Sequence, residues 1–387
     1  MVNVGIFTDN DFDKVNGVTT SLRAAIAHAP ADIRVRVYTC DGAGSESSSY
    51  LSLKARGVGI PFYPEMKMYV PPVRALLRHA RRDQLDVIHL TTPGPVGLAA
   101  MYVASRLQRP MVGSFHTDLA QYTARLSGSP RLGALMQQYM RWPYGKCRQI
   151  LVPSRSTRDL LEAGRLDPAK LRLWERGVSA ARFNPARRSA ALRAEWGVSD
   201  ARPAVLYVGR LSKEKGLAEL EAVRRRLDAC RVDHRFVFVG DGPMRRELQA
   251  TVPEAVFAGT LSPDQVAAAM ASADLFIFPS RTDTAGNVVL EAQASGLPVL
   301  VTDEGGPREN MLDGSTGVVC GSTRELARQA GELCVRTHRR LVMGRAAREY
   351  ALGRSWDAAL APLYASYREA AGSLAMVPGM TSGIVPA

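Results

Sequence analysis

The chain has 387 residues, of which 46% are hydrophobic and 22% are charged. These values exclude a disordered or fibrous protein and favour two globular domains with sizeable cores. Lysine and arginine number 50 against 37 aspartates and glutamates, a net charge of +13, which favours an anionic partner: a nucleotide diphosphate, an acidic membrane surface or nucleic acid.

Five cysteines are scattered along the chain without a C-x-x-C pair, so the sequence predicts neither a disulfide framework nor a zinc site. No apolar run reaches the roughly 18 residues of a spanning helix, and the first residues do not resemble a secretory signal. We therefore expect a cytoplasmic protein with reduced, mostly buried thiols.

The first part of the chain alternates strand-like and helix-like segments. The predicted strands are 2–9, 35–40, 86–90 and 111–116, the predicted helices are 18–29 and 94–108, and a Gly/Ser-rich loop is expected at 41–49. Short apolar runs separated by helix-length segments indicate a parallel sheet covered on both faces. Residues 1–183 are therefore predicted to form a Rossmann-like domain.

A second and more regular β/α series follows residue 202 and predicts another Rossmann-like domain over residues 184–355. Its predicted strands are 204–210, 236–240, 255–259, 275–279 and 298–302, with helices near 217–230, from 244, from 263 and near 288–295. Gly and Pro in 176–185 are typical of a linker between the domains. Two such sheets are expected to face each other across a ligand-binding cleft.

The end of the chain has two predicted parts. A helix at about 356–373 is expected to pack back on the first domain. Residues 374–387 contain two Pro and two Gly with little periodicity, which predicts a flexible tail.

The most specific stretch is Ser280–Asn310. A predicted strand ends before it, Asp283 and Gly286 lie in a short loop, a helix opens with Val288, and Glu291 is on that helix. The unpaired N–H groups of a helix start favour a phosphate or a sugar hydroxyl, and Gly286 permits a close approach of a ligand to the backbone. Asp283 and Glu291 are placed to face opposite ends of one bound ligand.

This arrangement resembles the acidic-x7-Glu motif of the retaining glycosyltransferases of family 4, followed by the family's A-x-A-S-G-x-P-V segment at Ala292–Val299. Further segments match the family's motifs in order along nearly the whole chain: VNVGIFTDNDFDKVNGV, SFHTD, RGVSAARFNP, GRLSKEKGL, VGDGP and VFAGTLS. The resemblance implies an α/β protein of the GT-B fold, with two facing Rossmann-like domains and a deep interdomain cleft. It also implies that the first domain binds the acceptor and the second binds a nucleotide sugar.

The resemblance implies four catalytic residues. Arg210 and Lys215 would pair with the donor diphosphate and stabilise the leaving group, Asp283 would hold the sugar, and His116 would touch the sugar near its 6-hydroxyl. Glu291 would accept hydrogen bonds from the ribose hydroxyls. The other implied donor-binding residues are Gly17, Gly240, Gly242, Leu261, Ala285, Gly286, Asn287 and Val288.

The sequence departs from the family at two positions. Asp283 stands where many members have the longer Glu, which leaves the sugar identity open, and Asp13 stands where a proline is common. No carboxylate is placed as an enzyme nucleophile, so a front-face displacement is implied, in which the leaving phosphate oxygen helps to deprotonate the acceptor. Asp9-Asn10-Asp11 superficially resembles a cation site, but the resemblance implies that Arg210 and Lys215 replace a metal and that no cofactor is required.

A basic stretch at Ile60–Arg82 suggests contact with an anionic membrane. Its helical part places Arg74, Arg78, Arg81 and Arg82 beside Leu76 and Leu77, as in a helix lying on a bilayer. The alternative is a solvated basic face on an ordinary domain helix.

The sequence therefore predicts a peripheral, retaining hexosyltransferase that moves mannose from GDP-mannose to a hydroxyl of a lipid or glycolipid. UDP-glucose is the alternative donor. From other classes, a nucleic-acid-binding module rests only on the net charge and lacks a recognition motif, and a non-catalytic sugar-nucleotide sensor is argued against by the intact Arg210, Lys215 and Glu291.

Overall fold

The computed structural model describes residues 1–12, 16–60 and 63–375. Asp13 and residues 376–387 of the predicted tail lie outside the described residues. The strands of the first part are β1 (Val2–Phe7), β2 (Ile33–Asp41), β3 (Ser45–Glu46), β4 (Tyr50–Lys54), β5 (Arg56–Ile60), β6 (Tyr63–Val70), β7 (Val87–Leu90), β8 (Met111–Ser114), β9 (Gln149–Val152) and β10 (Leu171–Leu173). Those of the second part are β11 (Ala204–Val208), β12 (Arg235–Val239), β13 (Val256–Gly259), β14 (Leu275–Phe278), β15 (Val299–Thr302) and β16 (Gly317–Cys320).

The helices lie between these strands and at the end of the chain. They are α1 (Gly17–Ala27), α2 (Val73–Arg82), α3 (Pro95–Leu107), α4 (Leu119–Ser127), α5 (Pro130–Gly145), α6 (Arg155–Ala163), α7 (Ala190–Trp196), α8 (Ala218–Ala229), α9 (Arg245–Thr251), α10 (Pro263–Ser272), α11 (Asn287–Ala294), α12 (Thr323–Val335), α13 (Thr337–Leu352) and α14 (Trp356–Ala375). None of the described helices combines the length and apolarity that crossing a membrane requires.

Two separate sheets carry the two halves of the chain. The first has the order β10-β9-β8-β7-β1-β2-β4-β3 and is parallel except for the β3–β4 pair. The second has the order β13-β12-β11-β14-β15-β16 and is parallel throughout. Both start from a central strand, β1 or β11, and extend to either side, so the loops at their carboxyl ends form a crevice where the order reverses.

The second sheet owes its regularity to strands that are apolar on both faces. Every residue of β14 and β15 is buried, as expected for parallel strands covered by helices on both sides. Stacked aromatic rings run across the sheet, with ring centroids 5.9 Å apart for Tyr207 and Phe278 and 5.0 Å apart for Phe238 and Phe257. This packing fixes the strand ends from which the functional loops project.

The first domain contains strands that the sequence pattern did not indicate. The expected Gly/Ser-rich loop contains the short strand β3, residues 50–54 form β4, and residues 56–60 and 63–70 form the antiparallel strands β5 and β6, which make a separate two-stranded sheet. In β6, Met68 and Val70 are exposed while Tyr69 between them packs against the core. A hairpin with one open face lacks the continuous apolar run by which buried parallel strands are predicted.

The last helix completes the first domain instead of the second. Trp356, Leu360, Leu363 and Tyr367 of α14 pack in one core cluster with residues of β1. The chain crosses between the domains near Gly177 and again near Trp356, at the start of α14. A Cβ on Gly177 would lie 2.7 Å from the Cα of Trp356, so the backbones of these two crossing segments are in contact.

Candidate active site

Loops from both sheets meet between the domains. The hydroxyl of Thr284, in the loop after β14, donates to the main-chain oxygen of His116 after β8 at 2.6 Å. The amide of Asn287, at the start of α11, donates to the main-chain oxygen of Gly17 at 3.2 Å. Residues that the sequence analysis placed on different domains are therefore brought to one crevice.

Lys215 and Asp283 form an ion pair in this crevice. The Nζ of Lys215 lies 2.7 and 2.8 Å from the two carboxylate oxygens of Asp283, and 15% of the lysine side chain is exposed. Burial opposes the charge of Lys215, but the nearby Asp283 carboxylate outweighs it and raises the pKa of the lysine. The ammonium therefore stays charged, and with three N–H donors it has one left for a ligand oxygen.

The loop after β11 carries Lys215 and Arg210 and has little freedom. The hydroxyl of Tyr207 donates to the main-chain oxygen of Arg210 at 3.0 Å. Gly240 has a φ of +127°, and a Cβ there would lie 2.0 Å from the main-chain oxygen of Gly209. Gly240 and its neighbour Gly242 thus pack against the loop that holds Arg210, while their predicted contact with the nucleobase stays a prediction.

The start of α11 offers main-chain donors to the crevice. The helix begins at Asn287, one residue before the predicted start, and no described side chain caps it. Gly286 has a φ of +71°, and a Cβ there would lie 2.8 Å from the ring of Pro307, so a larger residue is disfavoured. An uncapped helix start carries partial positive charge and favours an anionic or hydroxyl ligand.

Glu291 lies one turn further along α11 and is half-buried. Burial raises the pKa of its carboxyl group to about 7, with Arg182 acting in the opposite direction. Its carboxylate accepts no hydrogen bond from a described residue. Its oxygens are therefore available for the ribose hydroxyls that the resemblance assigns to it.

His116 on the opposite wall is held by protein groups at both ring nitrogens. Its Nε2 lies 2.8 Å from the hydroxyl of Ser114, and its Nδ1 lies 3.5 Å from Nη2 of Arg176. Burial first, and the charge of Arg176 second, lower the pKa of His116 well below its usual value. The imidazole is therefore neutral at physiological pH.

A third contact joins the two walls. The carboxylate of Glu309 in the second domain accepts the main-chain N–H groups of Arg155 and Ser156 at 2.6 and 2.8 Å. Because these are the first N–H groups of α6, Glu309 caps a helix of the other domain.

Two residues in the crevice were missed by the sequence analysis. Arg176, taken as part of a linker motif, is only 2% exposed and lies behind His116. Tyr122 of α4 lies beside Lys215 and Thr282, and burial raises the pKa of its hydroxyl. Neither an arginine in a linker nor an aromatic residue on a helix carries a distinctive sequence signal.

The chain matches two family models: Glycosyltransferase Family 4 over residues 15–182, and Glycosyl transferases group 1 over residues 202–335. It is 30% identical over 376 residues to a GDP-mannose-dependent alpha-mannosyltransferase of Corynebacterium glutamicum, an alignment covering 95% of this chain and 89% of that protein. The chain belongs to glycosyltransferase family 4. The prediction of a nucleotide-sugar-dependent hexosyltransferase is thereby confirmed.

One further relative and one solved structure are also similar to this chain. The sulfoquinovosyl transferase SQD2 of Arabidopsis thaliana is 33% identical over 334 residues, which cover 84% of this chain and 64% of that protein. The structure of a sucrose-phosphate synthase from Thermosynechococcus elongatus matches with a TM-score of 0.80 at 17% identity, covering 96% of this chain and 100% of that one. The predicted GT-B fold of this family 4 enzyme is confirmed.

The other predicted donor contacts of the enzyme lie on the second domain. Leu261 follows β13 and packs partly against that domain's core, Ala285 accepts a hydrogen bond from Asn310 through its main-chain oxygen, and Val288 is half-buried at the start of α11. Their roles toward the donor stay predictions.

The predicted membrane residues divide into two groups. Arg74, Arg78 and Arg81 are exposed on α2, and no ion pair joins them to another described residue. Arg82 instead binds Glu46 at 2.8 Å and Asp83 at 3.2 Å, so its charge is compensated within the domain. Leu76 and Leu77, expected beside the arginines at a bilayer, are buried in the core because α2 packs against the first sheet.

The family 4 enzyme contains no group of three or more His, Cys, Asp or Glu side chains suited to a metal among its described residues. Asp9, in the superficial cation-site pattern, accepts hydrogen bonds from the N–H of Val96 at 2.7 Å and from the hydroxyl of Thr92 at 2.6 Å. It therefore caps the start of α3. The independence of the reaction from metal stays a prediction.

Proposed function

We propose that this enzyme transfers mannose, with retention of configuration, from GDP-mannose to a hydroxyl of a lipid or glycolipid at an anionic membrane surface. The observation that carries the proposal is the convergence of Lys215, Asp283, Glu291 and the open start of α11 in one crevice. The relative from Corynebacterium glutamicum favours GDP-mannose as the donor.

In the proposed reaction the protein positions the donor and balances its charge. Lys215, Arg210 and the start of α11 stabilise the negative charge that develops on the departing diphosphate. Asp283 orients the sugar, and Glu291 holds the ribose at the other end of the donor. The leaving phosphate oxygen takes the acceptor proton, because no enzyme carboxylate is assigned as a nucleophile.

A thermal-shift panel tests the donor. GDP-mannose and GDP should raise the melting temperature, with UDP, UDP-glucose, ADP and ADP-glucose as comparisons, because a ligand at 100 times its Kd stabilises the native state by ~2.7 kcal/mol. Preferential stabilisation by UDP-glucose, the alternative donor suggested by the sequence, would overturn the assignment of GDP-mannose.

A transfer assay tests the chemistry. Labelled GDP-mannose and glycolipid acceptors in anionic vesicles should give a mannosylated lipid whose anomeric configuration, read by NMR, equals that of the donor. An inverted product would overturn the front-face displacement. Donor binding without transfer to any acceptor or to water would instead identify a sugar-nucleotide sensor.

Two adjacent features support the proposed membrane contact. Arg74, Arg78 and Arg81 lie on one exposed stripe of α2, at the i, i+4 and i+7 spacing of a helix face. On the neighbouring hairpin, Val58 pairs with Met68, and Val58, Met68 and Val70 are 50%, 37% and 59% exposed. Cationic side chains attract anionic headgroups, and exposed apolar side chains enter the acyl boundary.

Changing Arg74, Arg78 and Arg81 together to Glu tests this contact. At about 1 kcal/mol for each basic residue near the surface, their loss alone should weaken binding to phosphatidylserine vesicles ~100-fold or more. Donor hydrolysis should be unchanged. The matched control changes three exposed arginines of the second domain, Arg225, Arg226 and Arg246, to Glu; equal loss of vesicle binding there would reject α2 as the contact.

A further inference from the structure

A chain of hydrogen-bonded side chains runs from His116 into the first domain. Nε2 of His116 lies 2.8 Å from the hydroxyl of Ser114, which lies 2.8 Å from Nε2 of His89. Nδ1 of His89 lies 2.6 Å from the hydroxyl of Tyr367 on α14. His89, Ser114 and Tyr367 are 0% exposed, so the chain is shielded from water.

Arg176 is buried behind His116, at the end of this chain opposite Tyr367. Its guanidinium donates to the main-chain oxygen of Trp174 at 3.0 Å and stacks 4.4 Å from the centre of the Trp174 ring. No described carboxylate forms an ion pair with it, and the adjacent Glu175 pairs with Arg354 instead. Burial lowers the pKa of Arg176 to about 9. A buried cation without a counter-charge is costly and is only partly offset by stacking on an aromatic ring.

Arg176 determines which way the hydrogen bonds run. A guanidinium has five N–H donors and no acceptor, so the nitrogen of His116 that faces it must be unprotonated. The His116 proton is then on Nε2 and is donated to Ser114. Ser114 in turn donates to Nε2 of His89, and His89 donates from Nδ1 to Tyr367. If every hydrogen bond ran in the opposite direction, the N–H at Nδ1 of His116 would face an N–H of Arg176, and neither group could accept.

We propose that Arg176 is a positioning residue that holds His116 in the neutral form with its proton on Nε2, while the Ser114–His89–Tyr367 chain fixes the plane of the ring on the cleft wall. Since both ring nitrogens are occupied, a hydrogen bond from the ring to the sugar 6-hydroxyl has to replace or share the Ser114 contact. The effect on sugar binding rests on the proposed function, whereas the position of the proton does not.

The first test is the protonation of His116 in the free enzyme. The imidazoles of the six histidines, labelled with ¹⁵N, are observed in long-range ¹H–¹⁵N correlation spectra, and the His116→Gln variant assigns the signal. We expect the proton on Nε2 in the wild type. A proton on Nδ1 overturns the proposal without any activity measurement, so this result is independent of the donor's identity.

Variants then separate Arg176 from Ser114. Arg176→Met should remove the preference of His116 for the Nε2–H tautomer and give a mixture of tautomers or the Nδ1–H form. Arg176→Lys should keep the Nε2–H tautomer, because an ammonium group also lacks an acceptor. Ser114→Ala should keep Nε2–H, since Arg176 still faces Nδ1. A switch to Nδ1–H in Ser114→Ala, or no change in Arg176→Met, contradicts the proposal. If Arg176→Met does not fold, the spectra of the wild type, Arg176→Lys and Ser114→Ala still test the proposal.

Kinetics measure the consequence for the donor sugar. Arg176→Met should lower kcat/KM for the sugar nucleotide ~10- to 100-fold, as when a residue that orients a functional imidazole is lost, while the Kd of the free nucleotide diphosphate stays within about twofold. The matched control is Arg340→Met, since Arg340 is also buried and donates to main-chain oxygens, at 2.7 and 2.9 Å, in the second domain. Equal losses in both variants, or equal weakening of the diphosphate, would overturn the role of Arg176.

Discussion

The two walls of the cleft, one from each domain, differ in how their buried cations are compensated. On the second domain, Lys215 is partly exposed and neutralised by Asp283 at 2.7 Å. On the first, Arg176 is buried without a carboxylate partner among the described residues and faces the neutral His116. The lysine is therefore able to exchange part of its interaction with Asp283 for a ligand phosphate, whereas the arginine is fixed.

We therefore expect the two walls to have different functions: Lys215 on the second domain stabilises charge, and His116 on the first domain orients the sugar. Changes on the Lys215 wall should alter the energy of the leaving group, and changes on the His116 wall should alter discrimination between the sugar nucleotide and the bare nucleotide. Substitutions on each wall measure whether the two functions are divided in this way.

The largest effect is expected for Lys215→Ala. If Lys215 stabilises the leaving group as proposed, removing its charge should lower kcat ~10²- to 10³-fold, as for a lost oxyanion donor. Steady-state transfer or donor hydrolysis measures it. The exposed Lys213, two residues away, provides the control, and its replacement by Ala should leave kcat unchanged; similar losses at both lysines would contradict a specific role for Lys215.

Glu291→Gln should have the next largest effect and should act on binding. Losing hydrogen bonds to a charged carboxylate, at ~1.5–3 kcal/mol, predicts a nucleotide Kd about 10- to 100-fold higher by calorimetry. Because burial raises the pKa of Glu291 to about 7, the carboxylate is protonated as the pH falls. Affinity for the sugar nucleotide should therefore fall ~10-fold from pH 8 to pH 6.

The glutamine variant is the control for the pH dependence. It has no titrating group at position 291, so its affinity should be flat between pH 6 and pH 8. A wild-type enzyme with equally flat affinity would show that Glu291 does not bind the donor as a carboxylate.

Glu309→Ala should give the smallest effect, because Glu309 joins the two walls by capping α6 and is not among the residues predicted to contact the donor. A helix-terminal charge is worth ~0.3–1 kcal/mol, so kcat/KM should fall about 2- to 5-fold. Small-angle scattering should show a more open free enzyme. Glu304→Ala is the control, since Glu304 pairs with Arg281 within its own domain; an equal opening there would reject the cross-domain cap.

The regular elements of the cleft could be predicted from the sequence because they are apolar runs with turn residues at their ends. The predicted start of α11 differs from the observed one by a single residue, and Lys215 and Asp283, both predicted to contact the donor, lie in contact with each other. The role of Arg176 could not be predicted, because it depends on a contact with a residue 60 positions away. The expected bilayer face of α2 was wrong at Leu76 and Leu77, since periodicity shows an apolar stripe but not what covers it.

The return of α14 to the first sheet affects the order in which the protein folds during synthesis. A domain usually folds once its own residues have left the ribosome, but the core around β1 also includes Trp356, Leu360 and Tyr367. The first domain to be translated thus cannot finish folding until the second has emerged. A nascent chain arrested before residue 356 should therefore expose apolar side chains of β1 and α1, including Val4, Ile6 and Leu22, that α14 covers in the finished protein.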